Sequence, residues 1–116
     1  KKGVLVKDSK ILILGVTFKE NCPDTRNTKV VDIYHTLFEY TTDIDIFDPW
    51  ADASHVLDEY GLEIVNELPQ TRYDAVILAV AHDQFKALNL KALLKDNGVV
   101  YDVKGILDRE MVDGRL

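Results

Sequence analysis

Ile11-Leu12-Ile13-Leu14-Gly15-Val16-Thr17-Phe18-Lys19 runs from a nearly all-apolar stretch into a polar loop, and that transition decides the fold. A strand that is apolar at consecutive positions buries both of its faces, as strands do in parallel sheets covered by helices. The loop continues through Glu20-Asn21-Cys22-Pro23-Asp24-Thr25-Arg26-Asn27 and gives way to a helical pattern. A loop between a buried strand and a helix lies at the edge of an α/β sheet where such folds bind ligands. This one carries two cations, Lys19 and Arg26, seven residues apart, with the flat ring of Phe18 beside the first. That set suits an anionic ligand with a planar group, such as a nucleotide.

The rest of the chain alternates short apolar runs with amphipathic stretches. Residues 28–40 read as a helix, with Val30, Val31, Tyr34, Leu37 and Phe38 on one face and Asn27 or Thr28 as its cap. Residues 43–47 alternate as a second strand that stops at Asp48-Pro49. A second helix is expected over 51–60, with Ala53, Val56, Leu57 and Tyr60 inward and Gly61 as its C-terminal cap. Residues 62–65 read as a short extended segment and 69–73 as a loop. Ala75-Val76-Ile77-Leu78-Ala79-Val80 is the clearest central strand. His82-Asp83 opens the next turn, and 85–94 reads as a helix broken near Asn89. Asn97-Gly98 reads as a turn, 99–103 as the last firm strand, and 106–116 as a charged, partly ordered tail. The order implies an α/β fold, a three-layer Rossmann-like sandwich with a mainly parallel sheet and right-handed crossovers.

Composition narrows the function. The 116 residues suit one domain, and 47% hydrophobic content supports a real core. No stretch approaches the ~20 apolar residues of a membrane span, and the start does not resemble a secretion signal. The chain opens on Lys1, which reads as a piece cut from a longer protein. A single cysteine forbids an internal disulfide and fits a reducing, cytoplasmic setting. The formal net charge is −6, with 20 Asp and Glu against 14 Lys and Arg. Nucleic-acid binding leaves a basic footprint, and none is visible. An anionic ligand must therefore be held by a few local cations and backbone N–H groups.

Each candidate group has a plainer reading beside it. Phe18, Lys19 and Arg26 by themselves fit a solvated loop as well as a ligand site. Lys104 shifts that balance, because it follows the 99–103 strand as Lys19 follows the 11–16 strand. Parallel strands end on the same side, so both ammonium groups are expected at one rim, where a diphosphate and a helix N-terminus would meet them. Gly15 does not begin a G-x-G-x-x-G fingerprint, since Thr17 and Glu20 occupy the places of the next two glycines. A complete NAD site is thus not expected within the chain. Cys22 is a candidate nucleophile between two cations, but no base stands near it, and a plain loop thiol is preferred. His82-Asp83 could form an acid–base pair. The preferred reading is that Asp83 caps a helix and His82 lines the rim. His35 and His55 read as surface residues, and no spacing suggests a metal site. Asp48 at a strand end invites comparison with phosphoacceptor aspartates. The acidic pair that such sites need after the first strand is missing.

The stretch Leu14-Gly15-Val16-Thr17-Phe18-Lys19 with Asp24-Thr25-Arg26 resembles the opening of the C-terminal domain of UDP-glucose/GDP-mannose dehydrogenases. The runs Ala79-Val80-Ala81-His82-Asp83-Gln84-Phe85 and Tyr101-Asp102-Val103-Lys104-Gly105 are similar to that domain in order and spacing. The family oxidises the C6 hydroxyl of a nucleotide sugar to a carboxylate with two NAD molecules in succession. The resemblance implies that residues 1–116 are a single C-terminal nucleotide-sugar-binding domain of a longer enzyme. It implies that Phe18, Lys19 and Lys104 contact a UDP-sugar substrate, Lys104 standing where many members carry Arg. Arg26 falls on the arginine that reaches the NAD held mainly by the N-terminal domain. The catalytic cysteine and glycine-rich NAD loop belong to a preceding segment, so Cys22 inherits no role and this piece alone is inactive. Lys19-Glu20-Asn21-Cys22-Pro23-Asp24 and Val103-Lys104-Gly105 look most like the branch acting on UDP-N-acetylhexosamines, which supplies uronic acids for bacterial surface polysaccharides. The resemblance further implies a homo-oligomeric full-length enzyme. Two competing readings are a stand-alone α/β interaction or regulatory module without catalysis and a flavodoxin-like carrier, which predicts a bound flavin.

Overall fold

The computed structural model describes residues 9–26, 28–102 and 114–115. The chain builds β1 (Ile11–Leu14), α1 (Val30–Phe38), β2 (Ile44–Phe47), α2 (Ala53–Tyr60), β3 (Tyr73–Leu78), α3 (Asp83–Lys86), a 3-10 turn (Leu90–Leu93), β4 (Leu94–Asp102) and β5 (Gly114–Arg115). The strands form one sheet in the order β2-β1-β3-β4-β5, and every pairing is parallel. Ile11 stands opposite Ile44 on one side and Ala75 on the other.

Alternation along the strands sorts the core into two layers. Ile11 and Ile13 of β1 and Ala75 and Ile77 of β3 face α1 and α2, where Val30, Leu37 and Val56 meet them. Leu12, Leu14, Val76 and Leu78 face the other way, onto Phe85, Leu90 and Leu93. Helices thus cover both sides of the sheet, giving the three layers expected. Each buried aliphatic side chain contributes about 1.5–3 kcal/mol relative to exposure.

Several local details depart from the sequence reading. β1 ends at Leu14, but Val16 stays fully buried beyond the ladder. The turn expected at Asn97-Gly98 lies inside β4. There β4 advances five residues while β3 advances two, so the turn residues form an irregular excursion of one strand and do not separate two elements. Leu57, expected inward, is 47% exposed, because the short α2 turns only Val56 fully into the core. Gly61 closes α2 in the left-handed region, at φ 69°, as expected. Thr28 accepts the Val30 N–H at the start of α1, while Asn27 lies outside the described residues. Within the supposed tail, Gly114–Arg115 add an edge strand to β4.

Candidate functional site at the sheet switch point

The chain leaves β1 to form β2 on one side and later returns to lay β3 on the other. The connections from β1 and β3 therefore diverge, and the crevice at their carboxyl ends is where open α/β sheets bind ligands. Gly15 begins the first of these connections. Its φ is +98°, and a Cβ there would stand 2.5 Å from the Val80 Cβ. Both the backbone conformation and the close approach of the two strand ends call for glycine.

Asp48, just past β2, organises the crevice from beneath. Its Oδ2 accepts the N–H of Val16 at 2.7 Å and of Thr17 at 3.3 Å. Its Oδ1 accepts the N–H of Trp50 at 2.7 Å and of Ala51 at 3.0 Å. One carboxylate so joins the loop after β1 to the loop after β2. His82, which follows β3, brings in the third loop: its Nε2 lies 2.9 Å from Asp48 Oδ2 and 3.2 Å from Thr17 Oγ1. Both Asp48 and His82 are 0% exposed. Burial pushes the Asp48 carboxyl up, but hydrogen bonds from His82, Val16 and Trp50 outweigh it and hold the group below its ordinary value.

The hydrogen bonds assign the His82 tautomer. Nδ1 accepts the Asn21 N–H at 2.8 Å, so the shared proton sits on Nε2 and points at Asp48 and Thr17. The Thr17 hydroxyl in turn donates to the Lys19 carbonyl at 2.9 Å. Thr17, His82 and Asp48 do not make a hydrolytic triad. In a triad the hydroxyl and the carboxylate use opposite nitrogens of the ring, whereas here both use Nε2. The acid–base pair weighed as an alternative for His82 and Asp83 does not form either. Asp83 opens α3, its N–H donates to Asn21 Oδ1 at 2.9 Å, and its carboxylate takes Lys86. His82 is wholly buried beneath the loop and does not line the rim.

Above this platform the loop displays the expected ligand residues. Phe18 is 53% exposed, and Lys19 is exposed beside it. The loop closes on itself where the Phe18 N–H donates to the Asp24 carbonyl at 2.6 Å. Asp24 holds Arg26 in a fork, with Nε to Oδ1 and Nη2 to Oδ2 both at 3.0 Å. That guanidinium, with a smaller pull from Lys19, lowers the Asp24 carboxyl to about 2. Arg26 is therefore paired within its own loop, while Lys19 stands exposed on the same loop. Lys104 lies outside the described residues. Cys22 is a half-buried free thiol, and His35 and His55 are exposed. Among the described residues no cluster of His, Cys, Asp or Glu could hold a metal ion, and no helix is long and apolar enough to cross a membrane.

Residues 12–109 match the UDP-glucose/GDP-mannose dehydrogenase family, UDP binding domain. The chain belongs to that family. Over 119 aligned residues this UDP-binding domain is 49% identical to a UDP-N-acetyl-D-glucosamine 6-dehydrogenase of Salmonella typhi, covering 100% of the chain and 28% of the relative. It is 47% identical to the protein of the same name from Pseudomonas aeruginosa, with the same coverage. Its fold superposes on a UDP-glucose dehydrogenase from Pyrobaculum islandicum with a TM-score of 0.70 and 25% identity, over 95% of this chain and 25% of that one. The domain thus spans little more than a quarter of the length of the curated relatives it matches.

Sequence reasoning did not find the joint role of Asp48, His82, Thr17 and Asn21. One signal was present: an aspartate at a strand end followed by Pro49 favours a turn in which the carboxylate binds backbone N–H groups two and three residues on. Nothing local connected that turn to His82.

Proposed function

We propose that this chain is the C-terminal, UDP-sugar-binding domain of a longer NAD-dependent UDP-sugar 6-dehydrogenase. The observation that carries the reading is the exposed Phe18–Lys19 pair at the carboxyl end of β1, on a domain of this family. Lys19 and Lys104 hold the anionic diphosphate, and Phe18 packs against a planar or sugar portion of the substrate. UDP-N-acetylhexosamines are the substrate class, supported by the names and the 47–49% identity of two relatives. The products are UDP-uronic acids destined for bacterial surface polysaccharides, made in the cytoplasm by a homo-oligomeric enzyme.

NAD belongs chiefly to the N-terminal domain of the same protein. Arg26 is the residue here that reaches it. Asp24 engages two of the five guanidinium N–H donors, which leaves capacity for an anion. When bound, NAD accepts hydride from the substrate C6. Residues 1–116 contribute binding and orientation, and alone they do not catalyse.

The test is a titration of the isotope-labelled chain with UDP and with UDP-N-acetylglucosamine, followed by amide NMR. Shifts should centre on Phe18, Lys19 and Lys104, and Lys19→Ala should weaken the UDP affinity they report about tenfold. Unmoved amides in that region at millimolar nucleotide would overturn the assignment.

A further inference from the structure

We propose that His82 is a positioning residue for the nucleotide-binding loop: its ring, anchored by buried Asp48, fixes residues 17 and 21 and so sets where Phe18 and Lys19 project. This rests on the function proposed above. One edge of the imidazole, at Nε2, meets Thr17 Oγ1, and the other, at Nδ1, meets the Asn21 N–H. The two contacts bracket residues 18–20, and the Thr17 hydroxyl also holds the Lys19 carbonyl. Asn21 sits at φ 54°, a left-handed turn that reverses the loop over the ring, and its Oδ1 takes the Asp83 N–H. Among its described residues the loop has no helix or strand between Gly15 and Val30 to give it shape. A rigid buried ring, held by a carboxylate that is itself satisfied by four backbone N–H groups, supplies that shape. Histidine suits the place because one flat side chain offers a donor on one edge and an acceptor on the other. Ligand side chains held in place before binding cost less order on binding.

Two substitutions separate the halves of the device. His82→Asn keeps an acceptor near the Nδ1 position and gives up the Asp48 and Thr17 contacts. His82→Gln keeps a donor near the Nε2 position and frees Asn21. The proposal expects His82→Gln to raise amide exchange at Asn21 and Phe18 about tenfold and to weaken UDP binding about tenfold, the loss of one hydrogen bond's worth of order. His82→Asn, which loses the Asp48 anchor and Thr17 but still accepts from Asn21, should raise loop exchange and weaken UDP binding about threefold, less than His82→Gln, while its urea midpoint falls. In a Lys19→Ala background, His82→Gln should cost UDP little more, because both act through the same contact. Should either His82 variant fail to fold, Thr17→Val removes the loop hydroxyl that joins His82 Nε2 to the Lys19 carbonyl and should raise exchange in the loop and weaken UDP binding with the Asp48 contact intact. Equal effects of the Asn and Gln variants, or additive losses with Lys19→Ala, would make His82 a core residue only. Absence of UDP binding in the unsubstituted chain would sink the nucleotide assignment, while amide exchange at Asn21 still decides the positioning claim.

Discussion

His82 Nε2 and Asp48 Oδ2 lie 2.9 Å apart, both wholly buried, although 34 residues separate them in the chain. That contact ties the connection after β2 to the connection after β3, with the loop after β1 between them. The divergent end of the sheet is thereby closed by polar groups that satisfy one another. Among the described residues no buried side-chain nitrogen or oxygen lacks a partner.

Asp48→Ala removes the acceptor of four backbone N–H groups and of His82 at once. With roughly 1–3 kcal/mol at stake for each buried donor left unpaired, the variant should lose at least about 3 kcal/mol. Urea unfolding followed by circular dichroism measures it. A loss below about 1 kcal/mol would show that water or a neighbour replaces the carboxylate.

The same group fixes a direction for acid sensitivity. Its folded pKa is below the ordinary 3.8, so its contribution is complete above that value and is lost as pH falls from 3.8 through the lower folded value. Urea midpoints should change little on Asp48's account between pH 7 and pH 5 and fall below about pH 4. Asp48→Asn, less stable at neutral pH, should show a shallower fall. A variant as steep as the parent would assign the acid limb to other carboxylates.

Asp24 should titrate at about 2 by carboxyl NMR, because the Arg26 fork favours its charged form. Arg26→Ala should return the midpoint toward the ordinary 3.8. A midpoint that stays low without Arg26 would shift the cause to Lys19 and the backbone.

Gly15→Ala combines a positive φ with a contact that cannot relax, because Val80 belongs to the adjoining strand end. The cost should be about 3 kcal/mol, from strain and overpacking together. Retention of the parental urea midpoint would mean that the two strand ends separate easily.

Neighbouring positions in α2 test burial against pattern. Val56→Ala should cost roughly 2 kcal/mol, since Val56 is fully enclosed. Leu57→Lys should stay within about 0.5 kcal/mol, as expected for an exposed position. Comparable losses at both would place Leu57 in the core as its spacing suggested.

The two kinds of misreading share a cause. Leu57 and Asn97-Gly98 were judged from spacing and dipeptide preference, which describe a residue's immediate neighbours along the chain. Burial of Leu57 depends on how far a short helix rolls over the sheet, and Gly98 on how β4 accommodates an excursion beside β3. Neither quantity is carried by adjacent residues. Where the pattern repeats over several residues, as in β1, β3 and α1, expectation and structure agree to within a few positions.

Hydropathy periods along the chain were enough to determine the α/β class, the parallel habit of the strands and the placement of Phe18 and Lys19 just after the first of them. Those properties follow from local burial, which each segment records in its own side chains. Only the tertiary structure decided that Asp48, set aside as a failed phosphoacceptor, would meet His82 and Thr17 under that loop, with His82 in turn meeting Asn21. The reason is topological: β1 lies between β2 and β3, so three connections distant in sequence end at one crevice, and their polar groups find partners that no single segment specifies.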